Sequence, residues 1–328
     1  MECRRQSIGL AHLENFWNRK LKPGNRESGN GREDAEWVND NTLLCGLGLG
    51  LHETLAYLYS ARPTYDQFEQ WVLERNGGSI DQSLINRLND AFAGRLANNA
   101  NSEPLFTPDE MAFWDENGYV VLHEAVTPEN CRTAAAAIYE FLDADPADPR
   151  TWYQRQIGHT IWVPLMRHPS FEANRHSPRI HRAFAQIWGR NDLWVNTDQC
   201  GFNPPECGDW KFPGPHLHWD MSLALPLSFG TQAILYLTDT DAGQGAFQCV
   251  PGFHRELETW LKSLPAEADP RQEDLSALAR PVPGKAGDLV IWHQALPHGS
   301  SPNRSSRPRV VQYLNLRPSQ WDFNPIWK

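Results

Sequence analysis

Residues 287–316 read GDLVIWHQALPHGSSPNRSSRPRVVQYLNL. Two apolar runs of strand length, Leu289–His293 and Arg309–Leu316, flank a segment rich in Gly, Ser, Pro and Asn, the punctuation of turns. Asp288 is expected to cap the turn at Gly287 and start the first strand. No stretch of helical length separates the runs, so they cannot be joined by a parallel crossover. Upstream the pattern repeats in LWVNTDQCGF (193–202), the stretch around His218, TQAILYLTD (231–239) and AFQCVPG (246–252). From residue 193 onward the chain therefore reads as short antiparallel strands, an antiparallel sandwich or a jelly roll.

Toward the N-terminus the periodicity changes. TPDEMAFWDENGYVVL (107–122) reads as an N-capped helix, a turn at Gly118 and a strand at 119–122. Helices are expected over 128–142, closed by DADPADP, and over 178–188, closed by Gly189. The run NNANSEP (98–104) marks a boundary, which gives a helical N-terminal extension at 1–103 and a core at 104–328. Within the extension, a short helix is expected at 9–20, TLLCGLGLGLHETLAYLYSA (42–61) reads as one buried helix, and further helices run from Tyr65 to Asn76 and over 79–92. Gly46, Gly48 and Gly50 do not fit a phosphate-loop fingerprint and are read as close helix packing.

Composition sets outer limits. The chain has 328 residues, 40% hydrophobic and 21% charged, which suits a globular protein. Its net charge of -10 argues against nucleic acid or an anionic membrane as partner. No apolar run is long enough for a membrane span, and MECRRQSIGLAHLENFW has no apolar core of a signal peptide, so a cytoplasmic protein is expected. The six cysteines form no CxxC pair and are read as free thiols.

The chemistry concentrates in PGPHLHWDMS. His218 and Asp220 form an HxD pair, and residues two apart in extended chain point to one face. With twelve His in the chain, roughly one such pair arises by chance. A second His on a later strand would complete two imidazoles and one carboxylate on one face of an ion, the arrangement of non-haem iron(II) oxygenases. Both His293 and His298 are available. His298 is followed by Ser300 and, nine and eleven residues on, by Arg307 and Arg309. An Arg beside the metal would suit a dicarboxylate cosubstrate, because its fork pairs two oxygens at once.

From about residue 105 to 318 the chain resembles the phytanoyl-CoA dioxygenase family of Fe(II)/2-oxoglutarate-dependent oxygenases. Four motifs in order carry the likeness: TPDEMAFWDENGYVVL, HWD, GQGAFQCVPGFH and HGSSPNRSSRPR. The resemblance implies a mainly β fold with flanking helices, a double-stranded β-helix (jelly roll, cupin-like). It implies His218, Asp220 and His298 as catalytic iron ligands and Arg309 with Ser300 at the 2-oxoglutarate C5 carboxylate. Tyr236 falls where the family has an aromatic residue beside the cosubstrate, and Gln199 where it uses a Gln near iron or substrate. The implied reaction couples 2-oxoglutarate and O2 to oxidation of a small-molecule C–H bond, most simply hydroxylation, with release of succinate and CO2. Desaturation, ring closure and epimerisation share that centre. Halogenation does not fit, since related halogenases lack the carboxylate found here at Asp220. The family's PGSH reads Pro251-Gly252-Phe253-His254, a departure at the rim.

Alternatives stay open at this level. His216 could join His218 in a cupin-type, cosubstrate-independent metal site, and the fold could serve a non-catalytic binding module. His293 is read as a strand or wall residue. RTWYQRQIGHTIWVPLMRH (150–168) packs aromatic and basic side chains densely, either as a covering loop or as a lid over the pocket. On the second reading Arg155 or Arg167 would hold an anionic group and Trp162 would line the pocket; Trp219 and Trp292 are candidate substrate walls as well, with core packing the favoured alternative for both. A secondary metabolite or an amino-acid derivative is the expected substrate class. The extension could cover the pocket, support a homodimer or dock a partner.

Overall fold

The computed structural model describes residues 7–21, 32–96, 103–153, 160–208, 210–324 and 326–328. Eleven strands and ten α-helices are found among the described residues. The major sheet has six antiparallel strands: β1 (Tyr119–Leu122), β8 (Leu289–His293), β5 (Thr231–Tyr236), β10 (Arg309–Tyr313), β4 (Cys200–Asn203) and β2 (Trp162–Val163), in that spatial order. Opposite lies a minor sheet of β7 (Arg280–Val282), β6 (Phe247–Cys249) and β9 (His298–Ser300). A two-stranded sheet joins β3 (Leu193–Val195) to β11 (Leu316–Pro318). The result is the expected jelly roll.

Strand alternation builds two cores from one sheet. Ala233 and Leu235 of β5, Leu289 and Ile291 of β8 and Val310 of β10 pack outward into a cluster with residues of four helices. These are α6 (Pro108–Asn117), α7 (Pro128–Leu142), α8 (Pro169–Arg175) and α9 (Pro178–Trp188). Their alternates, Ile234 and Tyr236, Val290 and Trp292, and Val311, face inward against Phe247 and Cys249 of the minor sheet. The inward set lines the space where chemistry can be placed.

Local signals explain the helix ends. Thr107 caps α6: its hydroxyl accepts from the Glu110 N–H at 3.3 Å while Glu110 accepts from the Thr107 N–H at 2.8 Å. Gly118 ends it at φ +75°, which a side chain would strain. Helix α10 (Phe253–Ser263), after the third motif's Gly252, was not read from the sequence, nor was the short α8 (Pro169–Arg175).

The extension forms its own cluster of α1 (Ala11–Leu21), α2 (Arg32–Gly46), α3 (Leu51–Ala61), α4 (Tyr65–Arg75) and α5 (Gln82–Phe92), closed on the core side by Trp194. Here one expectation is corrected. Residues 42–61 are two helices, because Gly48 sits at φ +58° and Gly50 is extended as the N-cap of α3. The close-packing reading of these glycines stands at Gly46, where a Cβ would come within 2.5 Å of Leu88 and 3.0 Å of Trp194. The boundary run at 98–104 falls largely outside the described residues. Five described cysteines are free. No described helix is long and apolar enough to cross a membrane.

Candidate metal centre and cosubstrate pocket

The stretch around His218 is not a regular strand, as the sequence suggested, but a single antiparallel rung against β9. His218 and His298 exchange both backbone hydrogen bonds, at 2.9 and 3.0 Å. Directly opposed residues of an antiparallel pair project to one face, so this rung sets both imidazoles side by side, with ring centroids 4.6 Å apart. Asp220, two residues on, joins them. Gly299 permits the rung, since a Cβ there would lie 2.4 Å from the His216 carbonyl oxygen.

One donor atom from each of His218, Asp220 and His298 lies within 4.8 Å of the others, the one group of this kind among the described residues. Each imidazole already uses Nδ1 on the carbonyl two residues before it. His218 Nδ1 meets the His216 oxygen at 2.8 Å, and His298 Nδ1 meets the Leu296 oxygen at 3.0 Å. The carbonyls can only accept, so both Nδ1 atoms carry the proton and both Nε2 atoms present lone pairs. Those Nε2 atoms sit 3.3 Å from the two oxygens of Asp220. In the metal-free protein a proton on Nε2 would bridge each of these contacts; a metal ion would displace it and take the lone pair, and two imidazole nitrogens with one carboxylate suit iron(II).

Burial and charge act in opposition at this cluster. Burial pushes the Asp220 carboxyl up, but hydrogen bonds and charge from His218 and His298 outweigh it and hold the group well below the usual carboxylate range. Burial pushes His218 down, and Asp220 more than offsets that. His298 is nearly buried against Phe247 and Trp292, whereas half of the Asp220 side chain is exposed (53%). The centre is thus walled on the His298 side and open at Asp220.

Arg309, on β10, is 0% exposed. Its Nη1 donates to Ser300 Oγ at 3.0 Å, while Nε and Nη2 have no partner. A buried cation with orphaned donors is costly unless an acceptor arrives, so the site fits a carboxylate beside Ser300. Arg307, the other candidate, is mostly exposed and faces Asp241 at 3.8 Å. Tyr236 is fully buried near Arg309, but its hydroxyl is committed: it donates to the Val282 carbonyl at 2.7 Å and accepts from the Phe247 N–H at 3.0 Å.

A cavity of about 320 Å³ opens from the His218, Asp220 and His298 cluster. Gln199 and Trp162 line it, as the sequence proposed. Two other assignments are corrected. Trp219 is buried in the core, its indole N–H on the Ala295 carbonyl at 2.9 Å and its ring against Phe253 and Trp260. Arg167 pairs with Glu53 at 3.0 Å and with the Gly48 carbonyl, so it ties the loop to the extension. Arg155 lies outside the described residues. His216 is exposed, its imidazole is outside the donor group, and its carbonyl is the one holding His218. His293 packs between Trp114, Phe229 and His254, where burial lowers its pKa to about 4.

Sequence reading missed Gln232, Asp198, Arg317 and His52, which all line the cavity. Gln232 donates to Asp220 Oδ2 at 2.7 Å and accepts from the Trp292 indole at 3.2 Å. A polar residue in the inward register of β5 was the available signal. For His52, from the extension, the sequence carries none.

A jelly roll with two imidazoles and a carboxylate converging beside a buried, unfilled Arg is the frame of an Fe(II)/2-oxoglutarate-dependent oxygenase, and comparison with known proteins places the chain in that class. It belongs to the phytanoyl-CoA dioxygenase (PhyH) family, whose model matches residues 114–311. Iron(II), 2-oxoglutarate and O2 are the cofactor and cosubstrates of this class. A Dictyostelium discoideum protein named for phytanoyl-CoA dioxygenase is 23% identical over 260 residues, 63% of this chain and 74% of the relative. Ectoine dioxygenase of Bordetella parapertussis is 22% identical over 246 residues, 66% and 79% of the two chains. Among solved structures, HygX from Streptomyces hygroscopicus with nickel and 2-oxoglutarate bound is 16% identical, with TM-score 0.49 over 66% of this chain and 88% of that one. The carbocyclase SnoK from nogalamycin biosynthesis is 18% identical, with TM-score 0.46 over 68% and 90%. The family match begins beyond the helical extension.

Proposed function

We propose that His218, Asp220 and His298 hold the iron, that Arg309 and Ser300 hold the distal carboxylate of 2-oxoglutarate, and that the enzyme hydroxylates a C–H bond of a small molecule. The substrate we propose is a secondary metabolite or an amino-acid derivative. The observation that carries the reading is the convergence of three donor atoms with both His Nδ1 atoms already committed, so that every free lone pair faces one point. When bound, the iron and 2-oxoglutarate supply O2 activation, with succinate and CO2 released. The protein's residues do the positioning. The His218–His298 rung fixes the imidazoles, Gln232 orients Asp220, and Arg309 waits with two unpaired donors. Such outer partners set ring orientation and ligand basicity. The carboxylate at Asp220 occupies the position a halide would need, which supports hydroxylation over halogenation. The exposed side chain of His216 gives a cupin-type site no support.

The test is anaerobic addition of iron(II) and 2-oxoglutarate to the full chain. A weak visible charge-transfer band should appear, and it should be lost in His298→Ala. No band and no iron uptake in the wild type would sink the proposal and favour a non-catalytic binding module.

A further inference from the structure

On the wall of the same cavity, β11 and the extension build a second polar surface. Arg317 sits in the middle of β11, with Leu316 and Pro318 turned to the other side. Its guanidinium lines both the metal cavity and an adjoining pocket of about 210 Å³ walled by α2, α3 and Trp194. Among the described residues no side-chain hydrogen bond or ion pair reaches it. Its one ring contact is Trp321, at 5.8 Å from the centroid. Burial pushes its pKa down, and the nearby charges of Asp198 and Asp220 only partly offset this.

Asp198 faces the same space. Its Oδ1 accepts from the Gln199 N–H at 2.8 Å and its Oδ2 from the Asn196 amide at 3.2 Å. Each carboxylate oxygen has a further lone pair for another donor. Asp198 and Arg317 sense each other's charge but do not form a direct ion pair. Asn196 and Asn315 are spent on each other and on Thr231. The charged pair on this part of the wall is therefore one cation, Arg317, and one anion, Asp198, beside His52 and the Gln199 amide, with Trp162 and Tyr313 as walls.

We propose that this pair is the substrate-recognition subsite, and that the substrate is an amino-acid-like zwitterion: its carboxylate pairs with Arg317 and its ammonium with Asp198. A half-buried guanidinium without a protein partner is stabilised by a carboxylate that presents two oxygens to its fork. A second donor on the same small molecule satisfies Asp198, so the ligand bridges two charges that the fold leaves apart. Neither residue lies among the candidate metal ligands, and β11 lies beyond the end of the family match at residue 311. His52, at the start of α3, lines the same cavity. Part of the recognition wall thus comes from the extension. The inference rests on the oxygenase reading for which part of the cavity is reactive.

The experiment measures binding of free α-amino acids and their methyl esters to the full chain loaded with nickel(II) and 2-oxoglutarate, by thermal shift and calorimetry. At least one free amino acid should bind roughly 10-fold or more tightly than its own methyl ester, the loss expected when a charge-assisted pair becomes neutral. Arg317→Met should bring that ratio to about one, Arg317→Lys should retain part of it, and 2-oxoglutarate affinity should stay within about twofold in both. Asp198→Asn should instead erase the preference for an amino acid over its N-acetyl derivative, which keeps the proposal testable if Arg317→Met does not fold. Equal binding of acid and ester, no binding by any free amino acid, or an Arg317→Met variant with the ratio intact would overturn the subsite. Loss of 2-oxoglutarate binding in Arg317→Met would overturn it too, by assigning Arg317 to the cosubstrate. Failure of the oxygenase reading is separate: it shows as no nickel or 2-oxoglutarate binding in the wild type.

Discussion

Two arginines serve this site, Arg309 buried behind Ser300 and Arg317 on the cavity wall, and the two are held differently. Arg309 is fully buried, braced by Ser300, and has two donors aimed at nothing. On the cavity wall Arg317 is half-buried, lies over the Trp321 ring at 5.8 Å from its centroid, and shares its space with Asp198. The first is a fixed socket for one ligand, built wholly from the jelly roll. The second is a looser surface whose walls come partly from the helical extension. Rigid elements can hold a cosubstrate common to a class, while variable additions to the scaffold can set what is oxidised.

That contrast breaks most visibly at the metal. His218→Ala or Asp220→Ala should abolish succinate formation, a loss of more than about 100-fold, because removing one of three ligands exceeds the cost of disturbing an outer partner. Turnover like the wild type in either variant would remove the basis for calling this the reactive centre. Arg309→Met comes next. It deletes one or two charge-assisted hydrogen bonds of about 1.5–3 kcal/mol each, so the 2-oxoglutarate dissociation constant should rise at least roughly 10-fold, and more than about 100-fold if both are lost. Amino-acid binding at Arg317 should hardly move, and a matched loss of both ligands would mean that they share one site. The smallest effect is expected at Gln232→Met, which releases Asp220 Oδ2 and strands the Trp292 indole. Iron affinity, read by equilibrium titration, should fall about 10-fold with the fold unchanged. An unchanged iron affinity would reduce Gln232 to a wall residue.

Much of the metal centre is legible in the chain. His298, Ser300 and Arg309 share a short segment whose strand periodicity predicts which side chains face together, and period two in β5, β8 and β10 separates inward from outward residues. The HxD pair was legible as chemistry but not as structure, because a single bridge to β9, not a strand, aligns it. Trp219 misled because adjacent residues in extended chain face opposite ways: between His218 and Asp220 it must point into the core. Arg167 misled because its partners, Glu53 and the Gly48 carbonyl, lie more than a hundred residues away in sequence. The Arg317 wall was illegible for the same reason. His52, Asp198 and Arg317 are three isolated polar residues until α3, the 196–199 loop and β11 meet.

The central claim is that one iron is bound by His218, Asp220 and His298, with Arg309 fixing 2-oxoglutarate beside it. The most direct measurement is anomalous diffraction at the iron edge from anaerobic crystals of the full chain with iron(II) and 2-oxoglutarate. A single peak between the two Nε2 atoms and the Asp220 carboxylate, with the distal carboxylate of 2-oxoglutarate on Arg309 and Ser300, is the predicted result. A peak coordinated by His216, or 2-oxoglutarate seated on Arg317 in place of Arg309, would contradict the account.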